Sequence, residues 1–232
     1  DLDHVATIGP TLEDIAREKA GVIRPGVPVV TGAYGAALEV VRSVAAARGA
    51  PLLVLEDGDP LFSLRRPPRL RGEHQVTNAR LACAALRLLG YAQGADNALD
   101  ASWPGRLEEF RLGGTTVIVD GAHNPAGALA AAAAVPPGYV LVFGAMARKD
   151  VLGVLGPLAR GARSLHLVSP GEGGSDPREL RAAAGGSAHS SLAAALDAAL
   201  ADAGPGTVLV AGSLYLAGTA RRELLARGAE SH

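Results

Sequence analysis

Cysteine is all but missing from this chain: Cys83 is the single instance in 232 residues. That excludes a disulfide framework and fits a reducing compartment. No apolar run reaches the length of a membrane span, and the opening Asp1-Leu2-Asp3-His4 has none of the features of a secretory leader. An excess of positive charge is lacking too. With a net charge of −1 at pH 7, nothing argues for nucleic acid or an anionic membrane surface as partner. Two phosphate-binding signatures are also absent from the 232 residues: no G-x-x-x-x-G-K-[ST] loop occurs, and no G-x-G-x-x-G follows a strand. The second absence excludes a dinucleotide-dependent dehydrogenase. A cytoplasmic, monomeric protein acting on small molecules is the expectation. There is no initiator Met, and the chain reads as a piece whose upstream part lies outside this sequence.

At this length the chain can bury an ample core, as one large domain or two small ones. Thr11-Leu12-Glu13-Asp14 resembles a capping box, with Thr11 as N-cap of a helix over Leu12–Ala20 that stops at Gly21. Pro25-Gly26 turns into a strand, Val27–Thr31. A helix near Gly35–Arg48 carries Leu38, Val41 and Ala45 on one face, and Leu52–Leu55 is a further strand. The Arg/Pro-rich segment Leu61–Arg71 reads as an edge strand or loop. The helix Glu73–Leu89 has a stripe of Val76, Ala79, Cys83 and Leu86, with Gly90 ending it. Polar, Gly-containing Tyr91–Ser102 reads as a linker. From Trp103 onward the pattern is β-α-β alternation, with strands expected near Thr116–Val119, Tyr139–Phe143, Ser164–Val168, Ser187–His189 and Thr207–Val210. This predicts an α/β fold with a mostly parallel, Rossmann-like sheet.

The most informative stretch is Thr116-Val117-Ile118-Val119-Asp120-Gly121-Ala122-His123-Asn124-Pro125. A buried parallel strand runs straight into a carboxylate, an imidazole and an amide, and Pro125 opens an Ala-rich helix over Ala126–Val135. In open α/β sheets ligands sit at the carboxyl ends of strands, so Asp120 and His123 are active-site candidates. An Asx-turn with a helix-capping His is the plain structural alternative.

Seven motifs in order resemble the folylpolyglutamate synthase/dihydrofolate synthase family of the Mur ligase superfamily. They are Asp3-His4 with Ile8-Gly9; Ile15-Ala16-Arg17-Glu18-Lys19-Ala20-Gly21; Gly72-Glu73-His74-Gln75 with Asn78-Ala79; Trp103-Pro104-Gly105-Arg106-Leu107-Glu108; Asp120-Gly121-Ala122-His123-Asn124-Pro125; Val142-Phe143-Gly144-Ala145-Met146; and Gly212-Ser213-Leu214-Tyr215-Leu216-Ala217-Gly218. The resemblance implies that residues 1–101 are the later part of a P-loop-type central ATPase domain. Residues 102–232 would then be the Rossmann-like glutamate ligase domain, with closure across the linker during the reaction.

The implied reaction joins L-glutamate to a folate or dihydropteroate carboxylate through an acyl phosphate made from ATP. Each role has an ordinary alternative. By resemblance His4 is a Mg²⁺ ligand, although hard cations prefer oxygen and a terminal His is commonly just exposed. Lys19 is implied to be carbamylated (N6-carboxylysine), which asks for a desolvated, nucleophilic amine; otherwise it is a helix lysine pairing with Glu18 or Asp14. Asn78 would contact adenine, or be a polar residue on a solvated stripe. Arg106 would clamp ATP phosphates, or be a surface arginine. Asp120 would bind nucleotide, and His123 would stabilise charge where ATP and the amino acid meet. Ser213, at a helix start, and Lys149 would meet carboxylates of glutamate. An N-cap without a ligand is the alternative for Ser213. The family more often carries an acidic residue where Arg148 stands, which alters the charge around Lys149. A Mur-type ligase of cell-wall synthesis and a non-catalytic nucleotide- or partner-binding chain are the competing readings. Without a phosphate-loop segment, the 232 residues alone are expected not to run the ligase reaction.

Overall fold

The computed structural model describes residues 11–231, which form two compact units. The first unit takes in described residues 11–69 and 74–101, the second 70–73 and 102–231. His4 lies outside the described residues.

In the first unit Thr11 caps helix α1 (Leu12–Ala20), its hydroxyl oxygen accepting from the Asp14 amide at 3.1 Å. Strand β1 (Val29–Thr31) runs parallel to β2 (Leu52–Val54) around helix α2 (Gly35–Ala47). Ala20, Ile23, Ala45 and Ala50 close the small core beneath them. The segment from Leu61 to Arg71 makes no strand. After a 3₁₀ turn at Pro60–Phe62, the backbone carbonyls of Leu61 and Ser63 take hydrogen bonds from the Arg87 guanidinium at 2.6 and 2.8 Å. Arginine side chains on helix α3 (Glu73–Leu88) thus replace the missing ladder.

Tyr91–Ser102 is a correction to the sequence reading. It is not a plain linker, because Ala92–Ala98 is helical (α4). Ala95 and Leu99, four residues apart, are buried against Cys83, whose thiol donates to the Ala95 carbonyl at 3.2 Å.

The second unit is built on a seven-stranded sheet of order β7-β6-β5-β8-β4-β3-β9. Its parallel part comprises β4 (Thr115–Val119), β5 (Tyr139–Phe143), β6 (Ala162–Leu167), β7 (Ser187–Ala188) and β8 (Thr207–Ala211). Strands β3 (Glu108–Leu112) and β9 (Glu230–Ser231) add an antiparallel edge. The mostly parallel α/β fold expected from the alternation is therefore present.

Period-two burial explains the layering. Ile118, Leu141, Phe143, Leu209 and Ala211 point to one side, where they meet helices α5 (Pro125–Ala134), α6 (Val151–Gly161) and α7 (Pro177–Ala184). Val117, Val119, Val140, Val142, Val208 and Val210 point to the other side. There they meet α8 (Leu192–Ala203) and α9 (Leu214–Ala226). At the β6–β7 edge, His166 sits between His189 and Asp202. Its Nδ1 is 3.0 Å from His189 Nε2 and its Nε2 is 3.0 Å from Asp202 Oδ2.

Strand β3 has no counterpart among the expected elements. Gly113 and Gly114, at φ of +55° and +85°, form a two-residue turn that folds Glu108–Leu112 back on β4.

Candidate functional site

Three adjacent parallel strands, β4, β8 and β5, deliver their carboxyl ends side by side. Val119 leads into Asp120, Ala211 into Gly212-Ser213, and Phe143 into Gly144-Ala145. Backbone bonds tie the three turns together. The Asp120 amide donates to the Val210 carbonyl at 2.9 Å, the Gly212 amide to Ala122 at 3.0 Å, and the Gly144 amide to Ala211 at 3.3 Å. Gly212 has φ +118°, and a Cβ there would lie 2.7 Å from the Phe143 ring and 2.8 Å from the Gly144 carbonyl oxygen. Only glycine fits.

Asp120 is 6% exposed, and its carboxylate closes two backbone turns. Oδ1 accepts from the Ala122 amide at 2.8 Å, an Asx-turn of the kind the plain structural alternative foresaw. Oδ2 reaches back along the chain to the Leu107 amide at 2.9 Å. Leu107 is the one non-glycine at positive φ (+49°) among the described residues, and its side chain is buried in the core. Arg106, next to it, is exposed. Gly105 precedes Arg106 at φ +69°, its carbonyl accepting from the Gly121 amide at 2.8 Å. The Gly105 amide donates to Glu108 Oε2 at 2.9 Å, and that carboxylate is in turn held by Arg221 on α9. Gly105 also packs close to α9, since a Cβ on it would sit 3.5 Å from the Ala217 Cβ. Asp120 and Arg106 thus belong to one local network.

His123 is half-buried, with Nδ1 2.9 Å from the Gly121 carbonyl oxygen. That contact places a proton on Nδ1, so the neutral ring carries its lone pair on Nε2. His123 does not cap the following helix. Asn124 does, its Oδ1 accepting from the Gly127 amide at 2.7 Å ahead of Pro125. Ser213 is the N-cap of α9, 2% exposed, with its hydroxyl oxygen 3.1 Å from the Tyr215 amide. Lys149 is half-buried just before α6, where Asp150 caps the helix through the Gly153 amide at 2.9 Å. Arg106, Asp120, His123, Lys149 and Ser213 all lie at this strand-end edge of the second unit.

The remaining candidates are in the first unit. Asn78 is exposed on α3, and its amide nitrogen donates to Gln75 Oε1 at 3.2 Å. Gln75 is buried, so it fixes the Asn78 side chain from the core side. Lys19 departs from the desolvated amine that the sequence reading asks for, because it is exposed on the last turn of α1. The helix turns Ile15, Ala16 and Ala20 inward, which leaves positions 17–19 on the outer face.

Several contributors had no role assigned from the sequence, although all but Arg221 lie within the motifs: Leu107 with its left-handed backbone, the Glu108–Arg221 pair, Gln75, and Gly212. The glycine had a signal, since a Gly directly after a buried strand marks a close backbone approach. Leu107 had none, because leucine is an unfavourable choice for that conformation.

Residues 105–214 match the family of the Mur ligase glutamate ligase domain. The dihydrofolate synthase/folylpolyglutamate synthase of Bacillus subtilis (strain 168) is 32% identical over 200 residues, covering 72% of this chain and 46% of that protein. The folylpolyglutamate synthase of Lacticaseibacillus casei is 30% identical over 263 residues, covering 97% of this chain and 60% of its own. Among solved structures, E. coli FolC in complex with DHPP and ADP superposes with a TM-score of 0.84 at 31% identity, over 98% of this chain and 60% of that one. The chain therefore spans about half of each of these two relatives, 46% and 60% of their lengths. Motif order, fold and sequence agree that the chain belongs to the folylpolyglutamate synthase/dihydrofolate synthase family of the Mur ligase superfamily.

Proposed function

We propose that this chain serves an ATP-dependent carboxylate–amine ligase of folate metabolism. The ligase adds L-glutamate to a folate, to dihydropteroate, or to both, through an acyl phosphate, and works in the cytoplasm. The observation that carries the reading is the meeting of the β4, β8 and β5 turns inside the matched glutamate ligase region, with Arg106, His123 and Ser213 at one edge. The ADP named with the E. coli FolC structure supports a nucleotide as one of the ligands.

In this reading Arg106 offsets the phosphate charge that grows as the acyl phosphate forms, and Asn78 contacts adenine. Asp120 belongs to the nucleotide side of the site. His123, with Nδ1 held by the Gly121 carbonyl, presents its ring to the developing charge during attack by the glutamate amine. Ser213 and Lys149 hold glutamate carboxylates; the helix start at Leu214 adds its dipole. Lys19, as a carbamate, and Mg²⁺ on His4 belong to the same proposal. Among the described residues there is no group of three or more His, Cys, Asp or Glu that could hold a metal ion.

Calorimetric titration of the chain with ADP and, separately, with L-glutamate tests the reading. Binding of both, with glutamate in the millimolar range and weakened by Lys149→Ala, supports it. Absence of binding to either ligand ends it. Binding of ADP alone selects the second reading, a non-catalytic nucleotide-binding chain.

A further inference from the structure

We infer that the Gly-rich loop between β6 and α7 positions Lys149, and that Gly174 is the residue which lets it do so. The inference rests on the reading of Lys149 as a ligand of a glutamate carboxylate. Lys149 sits in the segment that joins β5 to α6. One end of its turn is fixed by α6: Asp150 accepts from the Gly153 amide at 2.9 Å, and the Lys149 carbonyl accepts from Val151 at 2.9 Å. The other end is Met146, whose carbonyl accepts from the Lys149 amide at 3.0 Å. No helix holds Met146. An antiparallel bridge to Gly174 does, with two rungs beside it. The Ser175 amide donates to the Ala145 carbonyl at 2.9 Å, and the Ala147 amide to the Gly173 carbonyl at 3.0 Å.

The loop reaches the end of β5 because it can fold tightly on itself. Gly171 and Gly173 take φ of +126° and +73°, and the Gly174 amide closes a turn on the Gly171 carbonyl at 3.0 Å. A Cβ on Gly174 would lie 2.5 Å from Pro170 Cδ, 2.6 Å from Ser169 Oγ and 2.9 Å from the Gly171 carbonyl oxygen. A proline ring and a backbone carbonyl cannot rotate out of the way, so any side chain here pushes the loop apart. The ladder has little reserve to resist this. Ser175 is 9% exposed, and its buried hydroxyl has no hydrogen-bond partner, so it loses hydration without compensation. Two rungs carrying that penalty open when the loop is crowded. Lys149 is then tethered through α6 alone, and its ammonium loses the fixed place from which it meets a carboxylate.

The test is a mutant cycle on the 232-residue chain, with wild type, Lys149→Ala, Gly174→Ala and the double variant. Each is titrated calorimetrically with L-glutamate and, separately, with ADP, and hydrogen exchange is followed at the Ala147 and Ser175 amides. Ala147→Pro is the companion variant, deleting one rung without adding bulk to the loop. Gly174→Ala should weaken glutamate binding on the order of tenfold, leave ADP binding as in wild type, and speed exchange at both amides. Ala147→Pro should do the same, with exchange read at Ser175. The double variant should bind glutamate no more weakly than Lys149→Ala, because a lysine that is absent cannot be misplaced. Ser175→Ala removes the unpartnered hydroxyl and should slow exchange at the Ala147 amide. Faster exchange with glutamate binding unchanged overturns the inference and leaves the ligase reading standing. Penalties that multiply in the double variant do so too, as does an equal loss of ADP and glutamate. If Lys149→Ala binds glutamate as tightly as wild type, or wild type binds none, the reading of Lys149 fails and the inference falls with it.

Discussion

Arg221 on α9 places its Nε 2.9 and 3.2 Å from the two carboxylate oxygens of Glu108, whose Oε2 also accepts the Gly105 amide. The two partners are therefore unequal. Glu108 holds a neighbouring helix and the loop before Arg106, whereas among the described residues Arg221 is bonded to Glu108 alone. Glu108→Ala should cost about 1–3 kcal/mol, because it strands a backbone amide and a partly buried guanidinium. Arg221→Ala should cost less than about 1 kcal/mol, since its own side chain is about a third exposed. Urea unfolding of both variants checks the order, and equal losses would contradict it.

Gly212 and Gly121 make a contrasting pair. A Cβ at Gly212 meets the Phe143 ring and a backbone carbonyl, at a φ of +118° that an L-residue resists. Gly212→Ala should therefore destabilise the protein by roughly 3 kcal/mol or more. At Gly121 the obstacle is Leu214 Cδ2, the tip of an exposed side chain that can rotate away. Gly121→Ala should cost about 1 kcal/mol or less. Thermal unfolding of the two variants separates these outcomes.

The His166 cluster gives the second unit an acid-sensitive edge. Burial, and then the neighbouring His166, lower the pKa of His189 from its usual 6.5. The folded state thus favours neutral His189, and below pH 6.5 the unfolded chain takes up the proton first. The stability it contributes is full above that pH and declines as pH falls toward the folded value. Asp202 is lowered from 3.8, chiefly by its hydrogen bond to His166, and its contribution is lost only below that value. His189→Gln should flatten the upper part of the stability–pH curve and leave the lower part in place. Urea midpoints between about pH 2 and 8 read this out, and an unchanged slope in the upper part would count against it.

Cys83 is 1% exposed, its thiol donates to the Ala95 carbonyl, and burial pushes its pKa up. It should resist a thiol reagent in the folded protein and react at the rate at which α4 opens. Cys83→Ala removes the donor and leaves a small void, at a cost of about 1–2 kcal/mol. Fast labelling under native conditions would mean that α4 is not packed as described.

How much of this was legible in the sequence depends on the kind of signal. The parallel strands were, because a run such as Tyr139-Val140-Leu141-Val142-Phe143 is buried on both faces and reads as continuous apolar sequence. The strand ends that carry the candidate residues were legible for the same reason. Strand β3 was not read, although Gly113-Gly114 between two short segments is a hairpin turn signal. Its Glu108, Glu109 and Arg111 belong to an antiparallel edge and hide the strand in charge. Helix α4 was missed because its sequence, Ala-Gln-Gly-Ala-Asp-Asn-Ala, is polar and its stability comes from packing on Cys83. Asp120 was read as a ligand, and its bond to Leu107, thirteen residues back in the chain, could not be read from spacing at all.

The amide of Gly212 on the Ala122 carbonyl, that of Gly144 on Ala211 and that of Gly121 on Gly105 sew neighbouring crossings into a single fabric. Lengthening one crossing by even one residue would pull the next out of step, so their lengths can change only together. Novelty in what this edge recognises must then come from swapping side chains upon a fixed backbone, and insertions should be tolerated elsewhere first.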